Sequence, residues 1–298
     1  MPGYDYNLSG VRLRLDSVRP MQADAFSKHF RSFSGGSADI RFRIQAADEI
    51  ASPAGVFRGA NAGRAAWQDG GWVSRCCRAR ADAPLYFCAR YHLGRPQEVH
   101  CTVRAADWDW ATRSQHLWPG LMVNSLLLHF QTLLFHASYI FHAGRGLLFT
   151  APSGTGKSTQ AGLWRAHRGA QVLNGDKAAV RLEPAPMAHG VPFAGTSGIC
   201  RNVSVPLAAV VVLSQAPRNT VQRLSPSEAV AALCPNVFID SLIPEEWQLA
   251  LHLLLDLAAQ TPVYALACTP DVRAVQALED ALAQTEKGGS HAGSVSNL

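Results

Sequence analysis

The residues best suited to chemistry stand in one run, Ala151-Pro152-Ser153-Gly154-Thr155-Gly156-Lys157-Ser158-Thr159. It follows the phosphate-loop pattern G-x-x-x-x-G-K-[ST], with Ala151 where the first Gly usually stands. Gly154 and Gly156 allow a backbone turn whose N–H groups converge on one anion, and a helix starting just after them adds its N-terminal dipole. Lys157 would reach the β- and γ-phosphates of a nucleotide, and the Ser158 hydroxyl would ligate Mg²⁺. Ser153, Gly154, Thr155, Gly156, Lys157, Ser158 and Thr159 are therefore the expected nucleotide-binding set.

A phosphate loop does not decide what becomes of the γ-phosphate, so the titratable groups near it in sequence matter. Asp176 lies 19 residues after Lys157, in the turn Asn174-Gly175-Asp176-Lys177. A carboxylate there would hold Mg²⁺ or take the proton of an attacking hydroxyl, or would simply be a turn Asp beside a Gly. His136 lies 21 residues before Lys157, among apolar neighbours, and taken alone reads as a core histidine.

The elements that must position these groups are partly legible. Leu147 to Thr150 reads as a buried strand entering the loop, and Lys157 to His167 as the helix leaving it. Gln171 to Leu173 and Ala178 to Leu182 read as short strands flanking the Asp176 turn. Val205 to Leu213 is the strongest β-branched run and reads as a central strand, entered from the loop Gly195 to Asn202. Ser225-Pro226-Ser227-Glu228 and Thr269-Pro270-Asp271 each mark a helix start, the first with a reciprocal cap. Pro244 to Gln260 has amphipathic helical spacing, and Val263 to Ala267 reads as a strand. Upstream, Asp39 to Arg104 is short, Gly-punctuated and alternating, hence β-rich; Trp108, Trp110 and Trp118 follow as junction core. The 21 residues from Leu121 to Phe141 carry no formal charge. Asn124, Ser125, His129, Gln131, His136 and Ser138 argue against a membrane span, and the segment reads as a helix to about Leu134 followed by a strand, Ser138 to Phe141.

Composition bounds the rest. A chain of 298 residues, 48% hydrophobic and 16% charged, is a globular protein of about two domains. Its net charge of +5 lies wholly in residues 1–115, with 16 basic against 11 acidic side chains. Of 27 basic residues 23 are Arg, and no run of five occurs, which excludes a duplex-binding stripe and leaves no nucleic-acid partner. Seven cysteines without C-x-x-C spacing read as reduced, buried thiols, and Met1 to Gly10 shows no secretory pattern; together these point to a cytoplasmic protein with no membrane association.

The ordered set His136, then Ser153-Gly154-Thr155-Gly156-Lys157-Ser158, then Asp176, resembles the catalytic domain of the HPr kinase/phosphorylase family, which shares its nucleotide-binding fold with phosphoenolpyruvate carboxykinase. In that family a His stands on the strand before the loop, the loop reads G-x-S-G-x-G-K-S, and a pair of aspartates closes the next strand. A Gly/Arg-containing loop then leads into another strand, as Gly195 to Asn202 leads into Val205 to Leu213 here. The resemblance spans roughly residues 120 to 280. It implies that His136 lies near the reacting phosphate, that Asp176 is base or Mg²⁺ ligand, and that Arg201 clamps phosphate. The chain departs from the pattern at Gly175, in place of the first aspartate, at Ala151, and at Thr159, where the family usually has Glu. Related kinases of this fold in gene clusters for ribosomally made peptides, including lasso peptides, phosphorylate a precursor hydroxyl, typically its C-terminal Ser.

The expectation is thus an α/β protein: a P-loop-containing, HPr kinase/phosphoenolpyruvate carboxykinase-like mixed-sheet domain behind a small β-rich N-terminal domain. Its parts would be residues 1–118 (β-rich, for substrate recognition), 119–285 (nucleotide-binding kinase domain) and 286–298 (disordered tail). Its activity would be ATP- and Mg²⁺-dependent phosphorylation of a serine-type hydroxyl on a peptide or small protein, with Asp176, His136, Lys157 and Arg201 catalytic and Ser158 and Asp176 on the metal. The resemblance also implies a homo-oligomer. A small-molecule kinase on the same fold and a nucleotide-binding switch with slow ATPase remain open alternatives.

Overall fold

The computed structural model describes residues 2–22, 30–31, 37–61, 63–193, 195–239 and 242–292. They belong to two compact units, one of Met1–Leu133 with Phe238–Leu253, the other of Leu134–Val237 with Leu254–Leu298. Each is built on a mixed β-sheet.

In the first unit the strands are β1 (Gly3–Leu8), β2 (Val11–Ser17), β3 (Ile40–Ala47), β4 (Val56–Asn61), β5 (Arg64–Asp69), β6 (Trp72–Arg78), β7 (Leu85–His92) and β8 (Arg95–Arg104). They are ordered β1-β2-β3-β8-β7-β6-β5-β4, with β2–β3 and β3–β8 parallel and the other pairs antiparallel. Alternation does the sorting: Leu13 and Leu15 of β2 and Ile40, Phe42 and Ile44 of β3 are buried, while Arg12, Arg14, Arg41 and Arg43 point the other way. Those arginines pair with Asp39, Asp5, Asp16 and Glu98, so part of the basic excess is neutralised within the sheet. Three short helices follow, α1 (Trp108–Ala111), α2 (Ser114–Gly120) and α3 (Val123–Leu128). Trp118 of α2 is buried edge-on against Tyr6, ring centroids 5.0 Å apart.

Two sequence expectations are corrected here. Cys76 and Cys88 face each other directly across β6 and β7 and are joined as a disulfide, because strand register brings together residues that sequence spacing does not flag. Cys77 and Cys101 are buried thiols, and Cys200, Cys234 and Cys268 are half-buried. The apolar segment after Leu121 is helical only from Val123 to Leu128: Met122 at φ 54° and Gln131 at φ 55° are left-handed turns, and the chain is already extended at Thr132. Among the described residues no helix is long and apolar enough to cross a membrane.

The second sheet uses β9 (Thr132–His142), β10 (Arg145–Thr150), β11 (Gln171–Asn174), β12 (Lys177–Arg181), β13 (Met187–Gly190), β14 (Ser204–Gln215), β15 (Thr220–Arg223) and β16 (Val263–Cys268). Its order is β10-β9-β12-β13-β14-β16-β15, with β11 on β9; β10 also pairs with β14, closing a circuit of pairings. The sequence does not flag β13. β10–β14 and β14–β16 are parallel, as strand-to-helix crossovers require. The helices are α4 (Lys157–Arg168), α5 (Pro226–Leu233), α6 (Pro244–Gln260) and α7 (Val272–Ala292). Phe149, Val211 and Leu266 from the parallel strands pack with Ala161 and Trp164 of α4 and Val275 and Leu278 of α7 into one buried cluster. That cluster fixes α4 against β10, and so fixes the loop joining them.

The Ser225–Glu228 cap is formed as expected, the Ser225 N–H donating to Glu228 Oε2 at 2.8 Å. The last helix starts later than Pro270: Asp271 Oδ1 accepts the Arg273 N–H at 2.9 Å and caps the first turn. That helix continues to Ala292, through residues 286–292 where an unstructured tail was expected, and 293–298 lie outside the described residues.

β13 carries a buried histidine with a consequence for acid stability. His189 is 7% exposed, its Nδ1 lies 2.6 Å from Ser204 Oγ, and its Nε2 has no hydrogen-bond partner among the described residues. Burial, with Arg181 nearby, pushes its pKa down to about 4. The folded-state value lies below the ordinary 6.5, so the stabilisation is complete above pH 6.5 and is lost as pH falls toward 4. The expected loss is of the order of 3 kcal/mol. Urea midpoints at pH 7 and pH 4.5 should converge in His189→Gln relative to the parent chain; an identical pH dependence would contradict this.

Candidate functional site

The Gly-rich loop leaves the buried end of β10 through Ala151, which is fully enclosed. The Thr150 hydroxyl donates to the His136 carbonyl at 2.9 Å, joining the loop's entry to β9. Gly154 and Gly156 have φ values of +80° and +124°, and the space beside each is open, so backbone conformation rather than crowding demands glycine there. Lys157 opens α4 and is buried, and its ammonium donates to the carbonyls of Ala151 at 2.8 Å and Pro152 at 3.1 Å. Burial pushes the Lys157 pKa below the usual lysine value, while Asp176 opposes that shift. Ser153, Ser158 and Thr159 are exposed along the loop and the first turn of α4, and Thr155 and Gly156 are partly exposed. First-turn amide groups of a helix have no intrahelical acceptor, so this turn offers N–H donors to an anion.

His136 lies on β9, which starts at Thr132, where the sequence reading has a helix to about Leu134 and a strand only from Ser138. The strand is covered on both faces, with Leu133, Phe135, Ala137, Tyr139 and Ile140 all buried, and such a continuous apolar run cannot be told from a buried helix by periodicity. Its Nε2 lies 3.4 Å from Asp176 Oδ1. The His136 pKa is lowered chiefly by burial and then by Lys157, with Asp176 acting in the opposite sense, so the imidazole is neutral at pH 7.

Asp176 is held by its turn. β11 and β12 flank it as expected, but both pair with β9 and not with each other. Asn174, fully buried, accepts the backbone N–H groups of Asp176 and Lys177, each at 3.0 Å, and donates to the Val191 carbonyl at 2.9 Å. The Ala137 N–H donates to the Asp176 carbonyl at 3.0 Å, and the Ser138 hydroxyl to the Gly175 carbonyl at 3.0 Å. On the far side of the carboxylate, Lys177 Nζ lies 3.7 Å from Oδ2. Gly195 packs so closely that an added Cβ would come within 2.6 Å of Asp176 Cγ. Sequence reasoning missed Asn174 and Lys177; the Asn-Gly pair was a turn signal, and an Asx turn is what it makes.

The glycine at 175 has its own cause. A Cβ there would lie 2.1 Å from Ser197 Oγ, so the loop after Gly195 fills the space a second carboxylate would need. Among the described residues no group of three His, Cys, Asp or Glu side chains could hold a metal. The oxygen donors at this end of the sheet are the half-buried Asp176 carboxylate and the exposed Ser158 hydroxyl, a hard-donor set of the kind Mg²⁺ takes when phosphate oxygens supply its other ligands. Arg201 is exposed; its backbone N–H donates to the Leu173 carbonyl at 2.9 Å, and its side chain makes no hydrogen bond or ion pair with His136, Asp176 or Lys157 among the described residues.

The model of the family described as SynChlorMet cassette protein ScmC matches residues 101–283, more than half of the chain. No curated protein matches. Among solved structures, the chain is similar to the Hpr(Ser) kinase/phosphatase from Coxiella burnetii at 13% identity, with a TM-score of 0.31 over 54% of this chain and 98% of that one.

Proposed function

We propose that this chain, which belongs to the ScmC family, transfers the terminal phosphoryl group of ATP to a serine-type hydroxyl of a peptide or small protein. The observation that carries the reading is the pairing of a phosphate loop with an Asp176–His136 couple, 3.4 Å apart, on the strand and turn beside it. Loop N–H groups and Lys157 would hold the β- and γ-phosphates, and Ser158 and Asp176 would hold Mg²⁺. When bound, the metal supplies charge neutralisation at the phosphate oxygens. The acceptor oxygen forms a bond to the γ-phosphorus as the bond to the bridging oxygen breaks, ADP leaves, and the hydroxyl proton passes to Asp176 or His136. The neutral state of His136 suits it to accept that proton. The peptide acceptor, with a C-terminal Ser as the first choice, rests on the resemblance of the motif set to precursor-peptide kinases.

Asp176→Asn separates binding from chemistry. The variant keeps an acceptor oxygen and the turn's backbone bonds but loses the charge. Nucleotide affinity by calorimetry should stay within about threefold, while transfer to a Ser-ended peptide falls by on the order of 100-fold or more, the usual range for a general base. Equal loss of both would confine Asp176 to holding Mg²⁺ and the turn, and unchanged transfer would remove it from the mechanism.

A further inference from the structure

β10, which delivers the phosphate loop, lies between β9 on one side and β14 on the other. His136 and Asp176 belong to the β9 flank. On the β14 flank a cavity of about 520 Å³ opens against the loop at Gly154, Thr155 and Gly156. Its other walls come from α4 and from the carboxyl ends of the parallel strands β14 and β16. A cavity of this size falls in the range that takes small organic ligands, roughly 300–1,000 Å³, and exceeds what an inorganic phosphate chain needs.

The walls say what kind of group fits. Leu213, Ala216 and Pro270 are apolar, and no charged side chain lines the cavity among the described residues. The polar side chains are the amides of Gln160 and Gln215, the hydroxyls of Thr155 and Thr159, and the Cys268 thiol. Gln160 is 2% exposed; its Nε2 donates to Cys268 Sγ at 3.2 Å, and its Oε1 has no partner among the described residues. Gln215 Nε2 reaches the carbonyls of Gly154 and Thr155 at 3.5 and 3.4 Å, tying the end of β14 to the loop. The Ala216 N–H donates to the Cys268 carbonyl at 3.1 Å and sets the floor between the two strand ends. An uncharged space with apolar walls and amide edges suits a flat heterocycle on a sugar, not a second anion.

We propose that this cavity receives the nucleoside half of the donor. The triphosphate then lies across the loop with its terminal phosphorus on the β9 flank, facing Asp176, and the acceptor approaches from that side. The assignment rests on the phosphate-loop reading and also selects a nucleoside triphosphate over pyrophosphate as the donor.

Calorimetry with Mg²⁺ and either ATP or inorganic tripolyphosphate tests it. The wild-type chain should bind both, ATP at least tenfold more tightly. Ala216→Trp, which fills the cavity, should bind ATP at least tenfold more weakly and tripolyphosphate within threefold of wild type. No tripolyphosphate binding by the wild type would overturn the phosphate-loop reading itself. Tripolyphosphate binding with ATP affinity unchanged in Ala216→Trp would overturn the cavity assignment alone. A second readout needs no variant: iodoacetamide labelling of Cys268, followed by peptide mass spectrometry, should slow at least fivefold with ATP and stay unchanged with tripolyphosphate. Equal labelling under both conditions would overturn the assignment.

Discussion

Lys157→Ala is expected to abolish phosphoryl transfer and to weaken nucleotide binding by on the order of 100-fold. The Lys157 ammonium accounts for both effects. It is buried at the start of α4 and donates to the carbonyls of Ala151 and Pro152, so it spans the loop from inside. A triphosphate entering the loop offers anionic oxygens in place of those neutral acceptors, and a hydrogen bond to a charged group contributes about 1.5–3 kcal/mol. Losing the upper end of that range corresponds to the stated affinity change at about 1.4 kcal/mol per tenfold. The same substitution frees the two loop carbonyls, so the fold is checked by circular dichroism and by the thermal midpoint. Lys157→Arg, which keeps the charge on a longer and planar group, should recover part of the binding and little of the turnover. Affinity within threefold of wild type in the alanine variant, on a folded chain, would contradict the role.

The second large effect lies in the first unit. Arg75 and Glu246 are each 1% exposed and form an ion pair, and Tyr91, also buried, donates its hydroxyl to Glu246 and accepts from Arg75 Nε at 3.2 Å. Burial, with Glu246 adding to it, pushes the Tyr91 phenol well above its usual pKa, so it remains a donor. Glu246 sits in the first turn of α6 beside Glu245, which accepts from Gln68 at 2.8 Å. Two acidic residues at a helix N-terminus complement its dipole, and through them the start of α6 is tied to β5, β6 and β7. Glu246→Ala leaves the Arg75 charge buried without its carboxylate, which should cost about 3–5 kcal/mol. Urea denaturation of the full chain reads it as a shift in midpoint. The double variant Arg75→Met/Glu246→Leu, which removes both charges, should recover most of that loss. A loss below about 1 kcal/mol in Glu246→Ala would show that the pair does not hold this helix.

What could be read from the sequence was what the chain decides locally. The glycines of the phosphate loop, the apolar strand before it and the helix after it are consecutive, and β14 and the Ser225 cap depend on neighbours a few residues away. What could not be read depends on partners distant in sequence. Cys76 meets Cys88 only through strand register, and β9 hides its period because both of its faces are covered. The start of α6 looked like any amphipathic helix until Arg75 gave Glu246 a reason to be buried. At the site, Asp176 and His136 could be nominated singly, yet their 3.4 Å approach needed the pairing of β11 and β12 with β9. Asn174 announces a turn through its Asn-Gly pair, but its three hydrogen bonds, one of them to Val191, become visible only in the fold.

The measurement that bears most directly on the central claim is the mass of a Ser-ended peptide after incubation with the protein, ATP and Mg²⁺. One added phosphate is expected on the terminal hydroxyl, matched by ADP release and absent with Lys157→Ala. Steady ADP release with no phosphate on any supplied hydroxyl, at concentrations where ATP binds, would contradict it.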